Sequence, residues 1–159
     1  FLQGKRMKLQ SVLFVCLGNI CRSPLAEGIA KSMNDRFEWN LKIDSCGTSA
    51  FHRGEPPHRQ SIRIAKENGI DISMQKSRPI SVYGDMEFDL IVAMDSNNKR
   101  DILALGFPKE KVVKLGDFDN GVDVPDPYYC NSDDGFREVY NLIESLLEKM
   151  FSHYGFCGK

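Results

Sequence analysis

The residues of this chain best able to do chemistry stand in one short run, Cys16-Leu17-Gly18-Asn19-Ile20-Cys21-Arg22-Ser23. Gly18 and Asn19 tolerate left-handed backbone angles, so the segment can curl. A curled segment turns successive amide N–H groups inward and makes a nest for an anion. A helix that starts at its far end adds a positive pole on the same side. Arg22 supplies a planar fork able to grip two oxygens of a phosphate. A thiol on the floor of such a bowl is expected to titrate in the range of about 3.5–7.5 and to be ionised at neutral pH. A thiolate beneath a bound phosphoryl group is a nucleophile in line for attack. The hydroxyl of Ser23 can donate to that sulfur and steady it again as a leaving group.

A cysteine and an arginine at this spacing often occur by chance, as a buried strand-end thiol and a surface helix residue. The context here is narrower. An apolar run of buried-strand type, residues 11–15, leads directly into Cys16, and Ser23-Pro24 opens a helix at a position where the missing N–H costs nothing. A second chemical group stands far downstream. Asp126 lies between Pro125 and Pro127, which stiffen the loop and fix where the carboxyl points. Attack by Cys16 expels an anionic leaving group unless a proton is supplied, and Asp126 is the candidate general acid. The neighbouring Asp119 and Asp123 are read as solvated loop charges.

Short apolar runs alternate with amphipathic segments in the pattern of a parallel sheet flanked by helices. Strands are expected at residues 11–15, 41–46, 88–94 and 111–115. Helices are expected from Ser23, through Ile62, Ala65 and Lys66 to a stop at Gly69, over 96–105 with a cap at Gly106, and over 133–153. The last carries Phe136, Val139, Tyr140, Ile143, Leu146 and Leu147 on one stripe. This is a small doubly wound α/β fold in a single domain, and ligands of such folds sit beyond the carboxyl ends of the strands. Cys16 is at one such end; Asp44-Ser45 and Met94-Asp95 are at two others.

The 159 residues suit one compact domain. The formal net charge is −1, from 21 basic and 22 acidic residues, which argues against a dedicated nucleic-acid binder. No apolar run approaches a membrane span. Residues 1–6 read as an appended protease-site remnant and 7–159 as the domain; with no signal peptide before the first strand, a cytoplasmic protein is expected. Five cysteines, an odd number, do not form a structural disulfide framework, and His52, His58 and His153 stand apart from them, so no zinc site is expected. Cys21 follows Cys16 within the same loop, and a reversible disulfide between them would switch the site off under oxidation. Cys46, Cys130 and Cys157 are read as spectators.

The run from Cys16 to Pro24, with Asp126-Pro127-Tyr128-Tyr129 far downstream, resembles the low-molecular-weight protein tyrosine phosphatase family over nearly the whole chain, from about Lys8 to the last helix. The resemblance implies a four-stranded parallel sheet with helices on both faces and no metal or organic cofactor. It implies hydrolysis of phosphotyrosine through a phosphocysteine on Cys16, with Arg22 holding phosphate and Asp126 as general acid and then base. It implies a deep slot walled by Phe51 and Tyr128, with Tyr129 nearby and Leu17 at the rim. Asn19 is expected in a left-handed conformation held by side-chain hydrogen bonds, with Ser45 as its partner by resemblance; Asn19, Ser23 and Ser45 are taken together as support around the loop. A histidine that the family often carries after the second helix is missing from residues 73–78, and Arg78 in that stretch is read as solvated. The implied partners are phosphotyrosine-containing proteins, and the implied state is a monomer or weak dimer.

Three other readings compete. An arsenate reductase on the same fold needs a further cysteine pair after the third strand, and residues 80–115 contain no cysteine. A protein arginine phosphatase tends to have Thr before the second cysteine of the loop, where this chain has Ile20. A phosphopeptide-binding module would carry the cradle without the acid and the nucleophile.

Overall fold

The computed structural model describes residues 8–129 and 132–157; the expected remnant at 1–6 and the spectator Cys130 lie outside the described residues. The strands are β1 (Ser11–Cys16), β2 (Lys42–Gly47), β3 (Leu90–Ala93) and β4 (Val112–Lys114). They form one sheet in the order β2-β1-β3-β4, parallel throughout. The helices are α1 (Arg22–Phe37), α2 (Arg59–Glu67), a single turn α3 (Val82–Asp85), α4 (Ser96–Ala104) and α5 (Asp133–His153).

Alternation along the strands divides the core into two layers. Val12, Phe14 and Cys16 of β1 and Leu90 and Val92 of β3 face one layer, completed by α1, α2 and α5. Leu13, Val15, Ile91 and Ala93 face the other, with Phe88, Ile102 and Phe107. Both faces of β1 and β3 are covered, as the unbroken apolar runs of these strands require. The stripe expected on α5 is buried in full and continues through Met150 and Phe151.

Chain order places β2 on one side of β1, and β3 and β4 on the other, so the strand order reverses between β1 and β3. That crevice is where a doubly wound fold takes its ligand. Cys16 ends β1 there, and Asp95 follows the end of β3.

Strand and helix ends differ by at most three residues from the sequence reading, and both ends of α5 coincide with it. The turn α3 was not expected; it is held by Ser81, whose Oγ accepts from the Gly84 amide at 3.3 Å. Gly69 and Gly106 stop their helices with positive φ of 78° and 105°. Three charges read as solvated also form ion pairs. Arg78 bridges Asp44 at 3.0 Å and the buried Asp85 at 2.9 Å. Asp123 pairs with Lys114 at 2.8 Å, and Asp119 with Lys149 at 3.0 Å. Their partners come from other elements, which local sequence does not disclose.

Candidate active site

The loop between β1 and α1 curls because its carbonyls are drawn outward. The Cys16 and Leu17 carbonyls accept from the Thr48 and Ser49 amides, both at 2.9 Å, and that of Ile20 accepts from the His58 amide at 2.7 Å. The Gly18 carbonyl accepts from Ser77 Oγ at 2.9 Å. With the carbonyls outside, the amides face in. Asn19 donates its amide to Cys16 Sγ at 3.3 Å. Among the described residues, the amides of Leu17, Gly18, Ile20 and Cys21 meet no protein acceptor. This is an anion nest at the N-terminus of a helix.

Asn19 has φ of 56°, the left-handed conformation expected of it. Its side chain holds that geometry from both ends. Nδ2 donates to Ser23 Oγ at 2.8 Å and Ser45 Oγ at 3.0 Å, and Oδ1 accepts from the Arg78 amide at 3.1 Å. Ser23 Oγ in turn lies 3.0 Å from Cys16 Sγ. Beneath this group Ser45 donates to the buried carboxylate of Glu27 at 2.6 Å, and Lys31 pairs with the other oxygen of Glu27 at 2.7 Å. The sequence reading found Asn19, Ser23 and Ser45 but missed Glu27. A carboxylate at the fifth position past Arg22, among Ala, Gly and Ile on an otherwise buried helix face, was the available signal.

Arg22 is buried. Its Nη1 donates to Asp95 Oδ2 at 2.7 Å and to the Val124 carbonyl at 2.9 Å, and Nη2 lies 3.6 Å from Asp126 Oδ2. Nε is buried and has no partner. A buried guanidinium N–H without an acceptor is unfavourable unless a ligand completes it. Burial works against the charge of Arg22, but the Cys16 sulfur, Asp95 and Asp126 outweigh it and raise its pKa. Asp95 also caps α4 through the Asn98 amide at 2.7 Å. It was seen in the sequence only as a strand-end carboxylate; its pairing with Arg22 spans the crevice and 73 positions of sequence.

The structure brings Cys16, Leu17, Gly18, Ile20, Cys21, Arg22, Phe51, Asp126 and Tyr128 together around a cleft of about 410 Å³, joined by Ser49 and His52. Asp126 Oδ1 accepts from the Tyr128 amide at 3.0 Å, which leaves Oδ2 turned toward Arg22. Leu17, Phe51 and Tyr128 are exposed at the rim. The Tyr129 side chain lies outside the described residues. His52 was not expected in the wall. Its Nδ1 is 3.0 Å from Glu55, and its Cδ2 edge lies where a Cβ on Gly18 would come within 2.9 Å. Gly18 therefore serves the site by leaving room for a ring. Gly47 does the same at the end of β2, where a Cβ would meet the Leu17 carbonyl at 2.6 Å. Cys21 is a free, buried thiol; burial first, then the charges of Asp126 and Cys16, push its pKa well up. No group of three or more metal-ligating side chains exists among the described residues.

A thiol, an amide nest, a buried arginine and a carboxylate around one crevice of a parallel sheet make a site able to hold an oxyanion beside sulfur. Comparison with known proteins gives this description its family. The profile "Low molecular weight phosphotyrosine protein phosphatase" matches residues 11–154. The chain is 38% identical over 149 residues to the low molecular weight protein-tyrosine-phosphatase YfkJ of Bacillus subtilis, covering 89% of this chain and 94% of that protein. It is 38% identical over 146 residues to the low molecular weight protein-tyrosine-phosphatase PtpA of Staphylococcus aureus, covering 89% and 92%. The YfkJ crystal structure superposes with a TM-score of 0.83 over 93% of this chain and 96% of that one, at 36% identity. A Drosophila arginine phosphatase superposes with a TM-score of 0.84 over 94% and 98%, at 30% identity. The chain belongs to the low-molecular-weight protein tyrosine phosphatase family and is a phosphoric monoester hydrolase.

Proposed function

We propose that this protein hydrolyses phosphotyrosine in proteins through a phosphocysteine on Cys16. The observation that carries the reading is Arg22 Nε, a buried donor with no acceptor, in the cleft that also holds Cys16 and the carboxyl of Asp126. A phosphate there takes the inward amides and the Arg22 fork, and its phosphorus rests over the sulfur. The Cys16 thiolate attacks phosphorus and the bond to the phenolic oxygen breaks. Asp126 delivers its proton from Oδ2 to that oxygen, and the phenol leaves. Water then attacks phosphorus; Asp126 takes its proton, the P–S bond breaks, and Ser23 steadies the returning thiolate. The nest amides and Arg22 stabilise the charge on the equatorial oxygens throughout. Phe51, Tyr128 and Leu17 form the walls for an aromatic ring. Cys21 is kept protonated by burial and serves as the resolving thiol. After peroxide converts Cys16 to a sulfenic acid, the Cys21 sulfur displaces water and a disulfide forms.

The structural likeness to an arginine phosphatase supports a second reading, phosphoarginine hydrolysis by the same steps. Ile20 favours the first, since an apolar residue lines the cleft where a guanidinium would need a polar partner. Parallel assays on phosphotyrosine and phosphoarginine peptides decide between them: faster release from phosphotyrosine is expected, and preference for phosphoarginine overturns the choice. Asp126→Ala is expected to lose about 10²–10⁴ in rate on phenyl phosphate and much less on p-nitrophenyl phosphate. Equal losses would remove Asp126 from the acid role.

A further inference from the structure

A second cleft of about 380 Å³ opens away from the phosphate loop, between α1, α5 and the segment after α5. Its volume is in the range of small-molecule sites. Trp39 stacks on Phe37 with centroids 5.4 Å apart and lies 4.9 Å from Phe151 and 5.5 Å from Phe156, so one wall is a cluster of rings. Tyr140 also lines the cleft. The residue as a whole is 1% exposed, and its hydroxyl makes no hydrogen bond to the described residues. Burial, with Glu144 second, pushes that phenol up to about 12, so it stays protonated and keeps both a donor and a lone pair to offer.

The charges at the cleft are uneven. Glu144 and Glu148 stand one turn apart on α5 and line it together, and neither forms an ion pair among the described residues. Like charges at this spacing repel. The one basic side chain of the lining, Arg36, is turned over the Phe37 ring at 5.4 Å. The cleft thus offers aromatic faces, two carboxylates with no ion pair among the described residues and a phenolic hydroxyl at its surface, which is the chemistry that holds an organic ammonium group.

We propose that this cleft binds a small primary amine with an aromatic or apolar body, its ammonium shared between Glu144, Glu148 and the Tyr140 hydroxyl and its body against Trp39. Trp39 is the single tryptophan of the chain, so its emission reads the site directly. The test titrates phenethylamine into the full chain with orthovanadate present, which keeps the phosphate loop filled, and uses 3-phenylpropionate as the anionic counterpart. A saturable change in Trp39 emission with the amine and none with the acid is expected. Glu144→Gln with Glu148→Gln is expected to weaken binding by roughly tenfold, as loss of charge-assisted contacts does. Tyr140→Phe, checked for folding by circular dichroism, is expected to weaken it by a smaller factor; because Tyr140 is a core residue, the surface glutamine pair decides if that variant does not fold. Unsaturable emission, equal responses to amine and acid, or unchanged affinity in the glutamine pair overturns the proposal.

Discussion

The sulfur of Cys16 faces two donors of different kinds, and their roles separate on substitution. The Asn19 amide is fixed by the backbone, whereas Ser23 Oγ, 3.0 Å from Sγ, is a hydroxyl that can turn toward the sulfur when it carries charge. Ser23 is itself aimed by Asn19 Nδ2 and lies within 3.4 Å of the Cys46 carbonyl, so it has few other orientations. Hydrogen bonds to charged groups are worth about 1.5–3 kcal/mol. Ser23→Ala is therefore expected to lower kcat by roughly 10- to 150-fold, with KM little changed, since the hydroxyl acts on sulfur and not on phosphate oxygens. Steady-state rates with phenyl phosphate, together with the size of the phenol burst, check this: in the proposed mechanism breakdown of the phosphocysteine needs the same hydroxyl, so the burst should persist. A KM rise as large as the kcat fall would instead place Ser23 in substrate binding.

Two elements carry the site's flanks, and each has a point of control outside the motif. The loop that holds Asp126 is pinned from β4. Lys114, almost wholly buried, reaches Asp123 at 2.8 Å, Ser96 Oγ at 3.0 Å and the Gly121 carbonyl at 2.7 Å. The pin grips the loop three residues before Asp126, while Val124 is bonded on one side to Met94 and on the other to Arg22. Lys114→Met keeps the stem but releases the loop. It is expected to slow phenyl phosphate more than p-nitrophenyl phosphate, which needs the acid less, and to lower stability by about 1–3 kcal/mol. Rates on both esters and a thermal melt measure it. The second element is α2, whose N-cap is His58: Nδ1 accepts from the Gln60 amide at 3.1 Å, and the ring stacks on Phe136. Burial first, then Arg59 and Arg63, lower the pKa of His58 below its ordinary 6.5. The unfolded chain then binds a proton more readily than the folded one, so the stabilising contribution is present above pH 6.5 and lost as pH falls through the lowered value. The melting temperature is expected to drop on acidification below pH 6.5, and less so in His58→Asn, which caps without titrating. Identical pH profiles for the two proteins would show that His58 does not contribute.

At the scale of the whole molecule, contacts close in sequence were legible and contacts across the sheet were not. The loop from Cys16 to Ser23 could be read because its parts are adjacent: strand end, left-handed Asn19, arginine, helix start. The elements could be read because β1 and β3 are buried on both faces and α5 on one. Glu27 under Ser45, His52 over Gly18, Asp95 on Arg22 and Lys114 under the Asp126 loop escaped, because each acts through a partner brought near only by the fold. Arg78 shows the same limit in reverse: a charge that looks solvated in sequence is held between Asp44 and Asp85. The folded chain consequently assembles positive potential in one crevice, from a nest, a helix end and a guanidinium with a free buried N–H, before any substrate arrives. A ligand that binds only this assembled state must stabilise the fold by mass action, by about 2.7 kcal/mol at a concentration 100 times its Kd. For a domain of this size that corresponds to a rise in Tm of roughly 5–11 °C. Inorganic phosphate is expected to produce such a rise in the native chain and in Cys16→Ser, where the cradle remains, and none in Arg22→Met, where the fork is gone. Melting curves with and without phosphate for the three proteins distinguish a preassembled cradle from one that substrate must organise: a rise that survives in Arg22→Met would mean that the amides alone hold the anion, and that the buried Nε is not the acceptor-seeking group of this site.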